Sequence, residues 1–182
     1  GETMEFEQLD LFGEDAAKQP VQNQSDLPKI IPAAGEPFLS GVKWEDSYPD
    51  VASYQDLFNI ARSCSKCRLR ATCQQVVFGA GNIQSKIMFV GEGPGRDEDL
   101  QGEPFVGRAG QLLNKILEAA EFKRSQVYIC NVVKCRPPDN RLPNPDEVKE
   151  CSKFLEAQIR LIKPRIIICL GALASQVVID PR

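Results

Sequence analysis

Four of the seven cysteines are spaced so that together they could hold a metal centre. Cys64 and Cys67 form a C-x2-C pair, while Cys135 and Cys151 follow much later, separated by fifteen residues that include several prolines. Such a loop can fold back and bring the second pair together. Four thiolates suit either zinc or an iron–sulfur cluster. The missing second C-x2-C pair slightly favours iron–sulfur, and the spacing alone leaves both open.

The remaining cysteines and the absence of histidine limit which kinds of metal or catalytic site the sequence can form. Cys130 and Cys169 lie within apolar runs and are interpreted as buried, unreactive small side chains. Cys73 is a weaker candidate ligand than Cys135 or Cys151. Because the chain contains no histidine, Cys/His nucleophilic pairs, histidine-ligated zinc and a histidine general base are excluded for these residues.

A glycine-rich acidic segment, residues 91–99, directly follows an apolar run. Its three glycines would let backbone amides approach a ligand closely. The segment does not match the dinucleotide fingerprint, because Gly102 and Pro104 postpone the next helix. A calcium loop starting at Asp97 also fails, since its twelfth position is Arg108 instead of a glutamate.

Alternating strand and helix patterns must position these residues. Three apolar runs rich in β-branched residues predict buried strands at 87–90, 127–133 and 166–170. Helical spacing follows the capping residue Ser53 and recurs in two later segments; the apolar positions are Leu112, Leu113, Ile116, Leu117 and Ala120, then Val148, Phe154, Leu155, Ile159 and Ile162. This order predicts an α/β fold, a parallel sheet between two layers of helices, with ligands at the carboxyl ends of the strands.

Composition separates an acidic first part from a basic remainder. Residues 1–50 carry eleven acidic and three basic side chains, a net charge of −8, whereas residues 51–182 carry fourteen and nineteen, a net charge of +5. Prolines, glycines and polar residues predict a disordered acidic tail over residues 1–53 and a folded domain over residues 54–182. A transmembrane run and a signal peptide are not apparent, and seven cysteines indicate a reducing compartment, so we expect a cytoplasmic protein.

Two sequence blocks resemble the signatures of one enzyme family. The first is Gly91-Glu92-Gly93-Pro94-Gly95 with Glu98-Asp99 and residues 101–113, and the second is residues 131–138 with Asn140, Arg141 and Cys151. Together they resemble the bacterial family-4 (iron–sulfur) uracil-DNA glycosylases over about residues 54–182. The resemblance implies a three-layer α/β/α sandwich and a DNA-repair hydrolase that releases uracil from DNA and leaves an abasic site.

The resemblance also assigns roles by position. It implies that a 4Fe-4S cluster is held by Cys64, Cys67, Cys135 and Cys151. It implies catalytic positions at Glu92, Gly93 and Glu98, and substrate binding by Phe105, Asn131 and Asn140. Without the resemblance, Phe105 would be interpreted as a core residue, and Glu98 and Asn140 as parts of solvated loops.

The sequence departs from the family pattern in one respect. The histidine-bearing loop of the family's second catalytic motif has no counterpart in this chain. We therefore expect the C-terminal strand and loop to be absent, the outer edge at 166–170 to be open, and excision to be poor. The alternatives are a non-catalytic iron–sulfur DNA-binding module, an inactive fragment, or a zinc-stabilised interaction domain.

The expected partner is uracil-containing DNA, with no membrane and the protein as a monomer. A second short resemblance lies in the tail, where Gln8-Leu9-Asp10-Leu11-Phe12 is similar to the peptide by which bacterial replication and repair proteins bind the sliding clamp. Leu11 and Phe12 would fill an apolar pocket on that partner, and a disordered tether would make them accessible.

Overall fold

The computed structural model describes residues 47–179. The peptide at residues 8–12 and most of the predicted acidic tail lie outside the described residues. Within residues 47–179, none of the helices combines the length and the apolar character needed to cross a bilayer.

The described elements alternate between helices and short strands. In chain order they are α1 (Tyr54–Arg62), α2 (Leu69–Thr72), β1 (Ala80–Gly81), β2 (Ile87–Gly91), α3 (Arg96–Gln101), α4 (Arg108–Ala119), β3 (Tyr128–Asn131), α5 (Pro145–Ile162), β4 (Ile166–Cys169) and α6 (Ala172–Ile179). Two 3₁₀ turns, Arg124–Gln126 and Pro138–Asn140, precede β3 and α5. The predicted strands and helices are all present, with ends shifted by a few residues.

The four strands form one mixed sheet in the order β1-β3-β2-β4. β2 pairs in parallel with both β3 and β4, which confirms the predicted parallel core. β1 pairs antiparallel with β3, so the sheet is not purely parallel. Sequence patterning missed β1 because a two-residue strand contains no complete period of alternation.

Helices cover both faces of the sheet. On one face, α1, α5 and α6 pack against Met88, Val90, Tyr128 and Cys130. On the other face, Leu113 and Leu117 of α4 pack against Phe89 and Ile129. Neighbouring strand residues thus enter opposite cores, as the two-residue period of a strand requires. The predicted three-layer sandwich is confirmed.

Two predictions about buried faces need correction. The apolar pattern alone predicts that β4 is buried, whereas the expected open edge at 166–170 predicts exposure. Ile166 and Ile168 are 53% and 37% exposed because β4 is an edge of the described sheet, so the open-edge expectation is the correct one. On α4, Leu112 and Ile116 are also exposed, since only the stripe through Leu113 and Leu117 faces the sheet. Apolar composition therefore overestimated burial at both places.

Local capping and ring stacking fix the first helical layer. Ser53 caps α1 as predicted, with its Oγ accepting a hydrogen bond from the Asp56 amide at 3.1 Å. Upstream of this cap, the Tyr48 ring stacks on Phe154 of α5 with centroids 4.8 Å apart. Arg160 of α5 donates to the Tyr48 carbonyl at 2.8 Å. The packed structure thus includes residues several positions before Ser53.

Candidate functional site

The carboxyl ends of β2 and β3 lie side by side and carry the predicted polar residues. Gly91, the last residue of β2, is in register with Asn131, the last residue of β3. Pairing continues beyond the strands, because the Val132 amide donates to the Gly91 carbonyl at 2.8 Å and the Val133 amide to the Glu92 carbonyl at 3.1 Å. The two strand exits are therefore held in a fixed relation to each other.

A cavity of about 370 Å³ opens at these strand exits. Its lining includes all six positions that the sequence predicted as catalytic or substrate-binding: Glu92, Gly93, Glu98, Phe105, Asn131 and Asn140. The lining also includes three arginines, Arg96, Arg108 and Arg141. The volume lies in the range of small-ligand pockets, and the lining combines these arginines with the acidic side chains of Glu92, Asp97 and Glu98.

Asn131 is the most constrained of these residues. Its side chain is 2% exposed, and its Oδ1 atom is buried without a hydrogen-bond partner among the described residues. A Cβ atom on Gly91 would lie 2.4 Å from this oxygen, so only glycine fits beside it. Because a buried acceptor without a partner costs free energy, a ligand that donated a hydrogen bond to this oxygen would be stabilised.

Phe105 also lies beside Gly91, and its backbone is strained. Its φ is 54°, a left-handed conformation that is uncommon for an aromatic residue. The same added Cβ on Gly91 would lie 2.4 Å from Phe105 Cζ, which places the ring edge close to the Asn131 side chain. A Cβ on Gly110 would lie 1.9 Å from the Phe105 carbonyl oxygen, so α4 approaches this strained peptide through a glycine.

Glu98 and Glu92 differ in how their carboxylates are used. Glu98 accepts hydrogen bonds from the amides of Gly95, Val106 and Gly107 at 3.1, 3.0 and 2.8 Å. It thereby joins the first turn of α3 to the segment that follows Phe105. The half-buried Glu92 carboxylate has no hydrogen-bond or ion-pair partner among the described residues, and it remains free to contact a ligand or water.

The last two predicted residues line the opposite wall. Asn140 has φ of 54° within the turn before α5, and its Oδ1 accepts a 2.7 Å hydrogen bond from Arg136 Nε. A Cβ on Gly93 would lie 2.7 Å from Val133 Cγ2, so a side chain there would collide with the loop after β3. Asn140 therefore lines the cavity with its side chain already paired to Arg136, and Gly93 allows the two loops to approach.

The four predicted ligand cysteines lie at one end of the larger core. Cys135 and Cys151 are buried in it, and Cys64 and Cys67 pack against it. The Lys134 amide donates to Cys151 Sγ at 3.1 Å, and the amides of Leu69 and Arg70 interact with Cys67. Within residues 47–179, no three histidine, cysteine or acidic side chains are grouped closely enough to hold a single metal ion.

The other thiols behave differently from one another. Cys130 is fully buried, as predicted, whereas Cys169 on β4 is only half-buried. Cys73 shares a hydrogen bond with Cys135, which lowers the pKa of Cys73 and raises the pKa of Cys135. Burial raises the pKa of Cys151 to about 12. Cys73 therefore lies closer to the predicted ligands than its sequence position alone indicated.

A family model described as "Uracil DNA glycosylase superfamily" matches residues 78–180, more than half of the chain. The chain belongs to the uracil-DNA glycosylase superfamily. The match covers both strand exits and the cavity between them. It does not extend to Cys64 and Cys67, which lie before its first residue.

Individual members of the superfamily are similar over a longer stretch. A protein of Archaeoglobus fulgidus named Type-4 uracil-DNA glycosylase is 49% identical over 128 residues, which are 70% of this chain and 64% of the relative. Relatives with the same name from Thermotoga maritima and Pyrobaculum aerophilum are 51% and 44% identical, over 65% and 69% of this chain and 62% and 64% of theirs. The predicted family-4 resemblance is confirmed, and the chain spans somewhat less than two thirds of these relatives.

The sequence assigned no role to several residues that lie beside the cavity or in the adjoining core. Gly91 and Gly110 matter because of close approaches between distant segments, which spacing does not reveal. Lys134 and Glu147 are fully buried charged residues, 1% and 0% exposed. A signal for Lys134 existed in the sequence, since a lysine interrupts an apolar run directly before Cys135.

Proposed function

We propose that this chain carries the uracil-binding and excision site of a DNA-repair glycosylase that hydrolyses the N-glycosidic bond of deoxyuridine in DNA. The observation that supports it best is the buried Asn131 Oδ1, which lacks a partner among the described residues and lies beside Gly91 and Phe105. An Asn side chain can accept from the N3–H of uracil and donate to its O4. Cytosine presents the reverse pattern of donor and acceptor at these positions.

The remaining cavity residues fit the same reaction. A flipped base enters the cavity, and Phe105 stacks on its face. The free Glu92 carboxylate orients a water toward C1′ of the sugar and stabilises positive charge that develops there as the bond to N1 breaks. The water oxygen then bonds to C1′, its proton passes to Glu92, and the electron pair of the broken bond leaves with uracil.

Glu98 holds the site instead of acting on the substrate. Its two carboxylate oxygens already accept from three backbone amides, which fix the loops on both sides of Phe105. Arg96 and Arg108 on the cavity rim are placed to contact DNA phosphates, which would position the strand without reading its sequence. Uracil-containing DNA is therefore the proposed partner.

Cys64, Cys67, Cys135 and Cys151 are the residues that would hold a 4Fe-4S cluster. Their number, their thiol chemistry and the backbone amides directed at Cys67 and Cys151 fit such a group. The bound cluster would join the segment before α2, the exit of β3 and α5. Iron and sulfide analysis with visible absorption of the purified chain tests this.

The test of function is uracil excision from a labelled single-stranded oligonucleotide, with binding to uracil- and cytosine-containing oligonucleotides measured in parallel. We expect Asn131→Asp to lower uracil binding and excision by roughly 10²-fold, because the variant loses the donor to O4 and adds a charge. Asn114→Asp makes the same change outside the cavity, where Asn114 contacts Arg124, and should stay near wild type. Equal behaviour of the two variants would contradict the proposal. A wild-type chain that binds uracil but does not excise it would favour the non-catalytic alternative.

A second partner is proposed for the tail. Gln8-Leu9-Asp10-Leu11-Phe12 would bind the sliding clamp weakly, because a segment whose composition predicts disorder must become ordered on binding. Replacing Leu11 and Phe12 with Ala should abolish the calorimetric signal with the clamp. Leu27→Ala with Phe38→Ala removes the same two side-chain types elsewhere in the tail and should leave the signal intact. Clamp binding that survives the first pair would rule out this motif.

A further inference from the structure

Lys134 is a buried lysine that does not line the cavity. Its side chain is 1% exposed, and no carboxylate among residues 47–179 forms an ion pair with it. Its Nζ donates to the Asn131 carbonyl oxygen and to Gln158 Oε1, both at 2.6 Å, and lies 5.7 Å from the centre of the Phe78 ring. A lysine is buried so completely only where its amino group has a specific task.

The first contact of this amino group fixes the peptide that carries the base-reading side chain. On one side of the Asn131–Val132 peptide, the Val132 amide donates to the Gly91 carbonyl at 2.8 Å. On the other side, the Asn131 carbonyl accepts from Lys134 Nζ. Because the peptide is held from both sides, the direction of the Asn131 side chain into the cavity is set before any ligand arrives.

The second set of contacts joins this peptide to the cysteine-bearing helix. Gln158 and Cys151 both belong to α5, seven residues apart and therefore on one face. Gln158 Oε1 accepts a hydrogen bond from the Lys134 amino group, while Cys151 Sγ accepts one from the Lys134 backbone amide at 3.1 Å. Gln158 is itself held, because its Nε2 donates to the Phe78 carbonyl at 2.9 Å and to the Tyr128 hydroxyl at 2.8 Å.

We propose that Lys134 is a positioning residue that holds Asn131 in its base-reading orientation and connects it to the cysteine-bearing helix α5. This inference rests on the proposed function, and it adds a specificity-determining residue outside the cavity. Asn131 contacts the base, and Lys134 acts only through the Asn131 peptide. The cysteine site and the cavity are thereby mechanically connected through one side chain.

The test compares Lys134→Met with wild type in the whole chain, purified with its iron. Methionine keeps the length and apolar stem of lysine but cannot donate to Asn131 or Gln158. We expect the preference for a uracil-containing over a cytosine-containing oligonucleotide to fall at least roughly tenfold. This is the effect expected when about one buried hydrogen bond from a charged or amino donor is lost. Affinity for the cytosine oligonucleotide should stay within about twofold, because the rim arginines are unchanged.

Two further readouts separate positioning from a merely structural role. Iron content should be unchanged in Lys134→Met, because the bond to Cys151 comes from the backbone amide. The side-chain amide resonances of Asn131 should shift or broaden in its spectrum. Leu155→Ala, which opens a cavity in α5 at a fully buried residue, controls for lost stability and should keep the uracil preference.

The outcomes are distinct. A folded Lys134→Met protein that keeps its uracil preference would overturn the inference, as would an equal loss of preference in Leu155→Ala. If wild type shows no uracil preference, the proposed function fails instead. If Lys134→Met does not fold, Gln158→Met decides, because it removes one acceptor of the lysine without touching the cavity. A reduced preference supports the inference, and an unchanged one overturns the proposed connection between Asn131 and α5.

Discussion

The cavity at the strand exits and the start of α5 beside the cysteines use polar groups in opposite ways. In the cavity, Asn131 Oδ1 and the Glu92 carboxylate lack partners among the described residues. At the start of α5, the buried Glu147 accepts from Arg141 at 2.8 and 2.9 Å and from the Asn144 amide at 2.7 Å. Unsatisfied groups are available to a ligand, whereas satisfied ones hold the fold together.

This difference predicts which measurement each region controls. Changes near the cysteines and α5 should alter the free energy of unfolding, and changes in the cavity should alter uracil binding while the protein stays folded. Glu98 tests this distinction, because it combines features of both regions. It lines the cavity, but its carboxylate accepts hydrogen bonds from the protein, as the Glu147 carboxylate does.

The largest effect is expected at Cys135. Cys135→Ala should remove the proposed cluster and lower the free energy of unfolding so far that the domain no longer unfolds cooperatively, because binding of a structural metal centre contributes directly to folding. Iron analysis and thermal unfolding measure both consequences. Cys130→Ala removes a thiol that is equally buried but is not a proposed ligand, and it should keep its iron and lose about 1–2 kcal/mol. A stable Cys135→Ala protein with a full iron content would refute the ligand assignment.

The next effect concerns the cavity itself. In Gly91→Ala the added methyl would lie 2.4 Å from both Asn131 Oδ1 and Phe105 Cζ, so the base-binding position should be distorted. We expect uracil binding to fall by roughly 10- to 100-fold, which corresponds to the ~1–3 kcal/mol typical of overpacking. Titration with a uracil-containing oligonucleotide measures this. The control is Gly171→Ala, which strains a glycine with φ of 103° in open space outside the cavity. A comparable loss of uracil binding in this variant would contradict the explanation by overpacking at Gly91.

Glu98 should behave as part of the framework. Glu98→Ala removes the acceptor of three backbone amides and should lower the free energy of unfolding by about 2–3 kcal/mol, whereas Glu98→Gln keeps one carbonyl acceptor and should lose about half of that. Denaturant unfolding measures these values. Glu92→Gln, with no partner to lose among the described residues, should leave stability unchanged and slow excision. If Glu98→Gln instead kept full stability and abolished excision, Glu98 would be a catalytic residue.

The smallest expected effect is a pH dependence from Glu147. Its pKa is held below its ordinary value near 4.5, mainly by Arg141 and also by the Asn144 amide, despite the opposing effect of burial. A lowered pKa means that its contribution to stability is complete above about 4.5 and is lost as the pH falls through the folded-state value. Glu147→Gln should therefore lose part of the acid dependence of unfolding seen in wild type. Glu150→Gln on the same helix is the matched control, and an identical pH profile for both variants would contradict the assignment.

The two regions also differ in how well the sequence predicted them. The six cavity positions came from the family resemblance, whereas the periodicity of the sequence predicted only the strands and helices around them. The saturation of Glu98 could not be predicted, because its three donors lie up to nine residues away and across a loop. Burial of β4 was overestimated, since an apolar run does not reveal whether a strand is central or at an edge.

The sequence by itself determined the α/β order, the helix start at Ser53 and the family, because these depend on local periodicity and on residue types at short spacing. Only the tertiary structure decided which polar atoms are satisfied. Asn131 Oδ1 remains without a partner among the described residues, whereas Glu98 and the Lys134 amino group are hydrogen-bonded, because strand register and helix packing bring together residues that are distant in the chain. Whether a polar atom finds a hydrogen-bond partner depends on differences of a few tenths of an ångström in the distance between such segments. Residue spacing in the sequence carries no information about these distances.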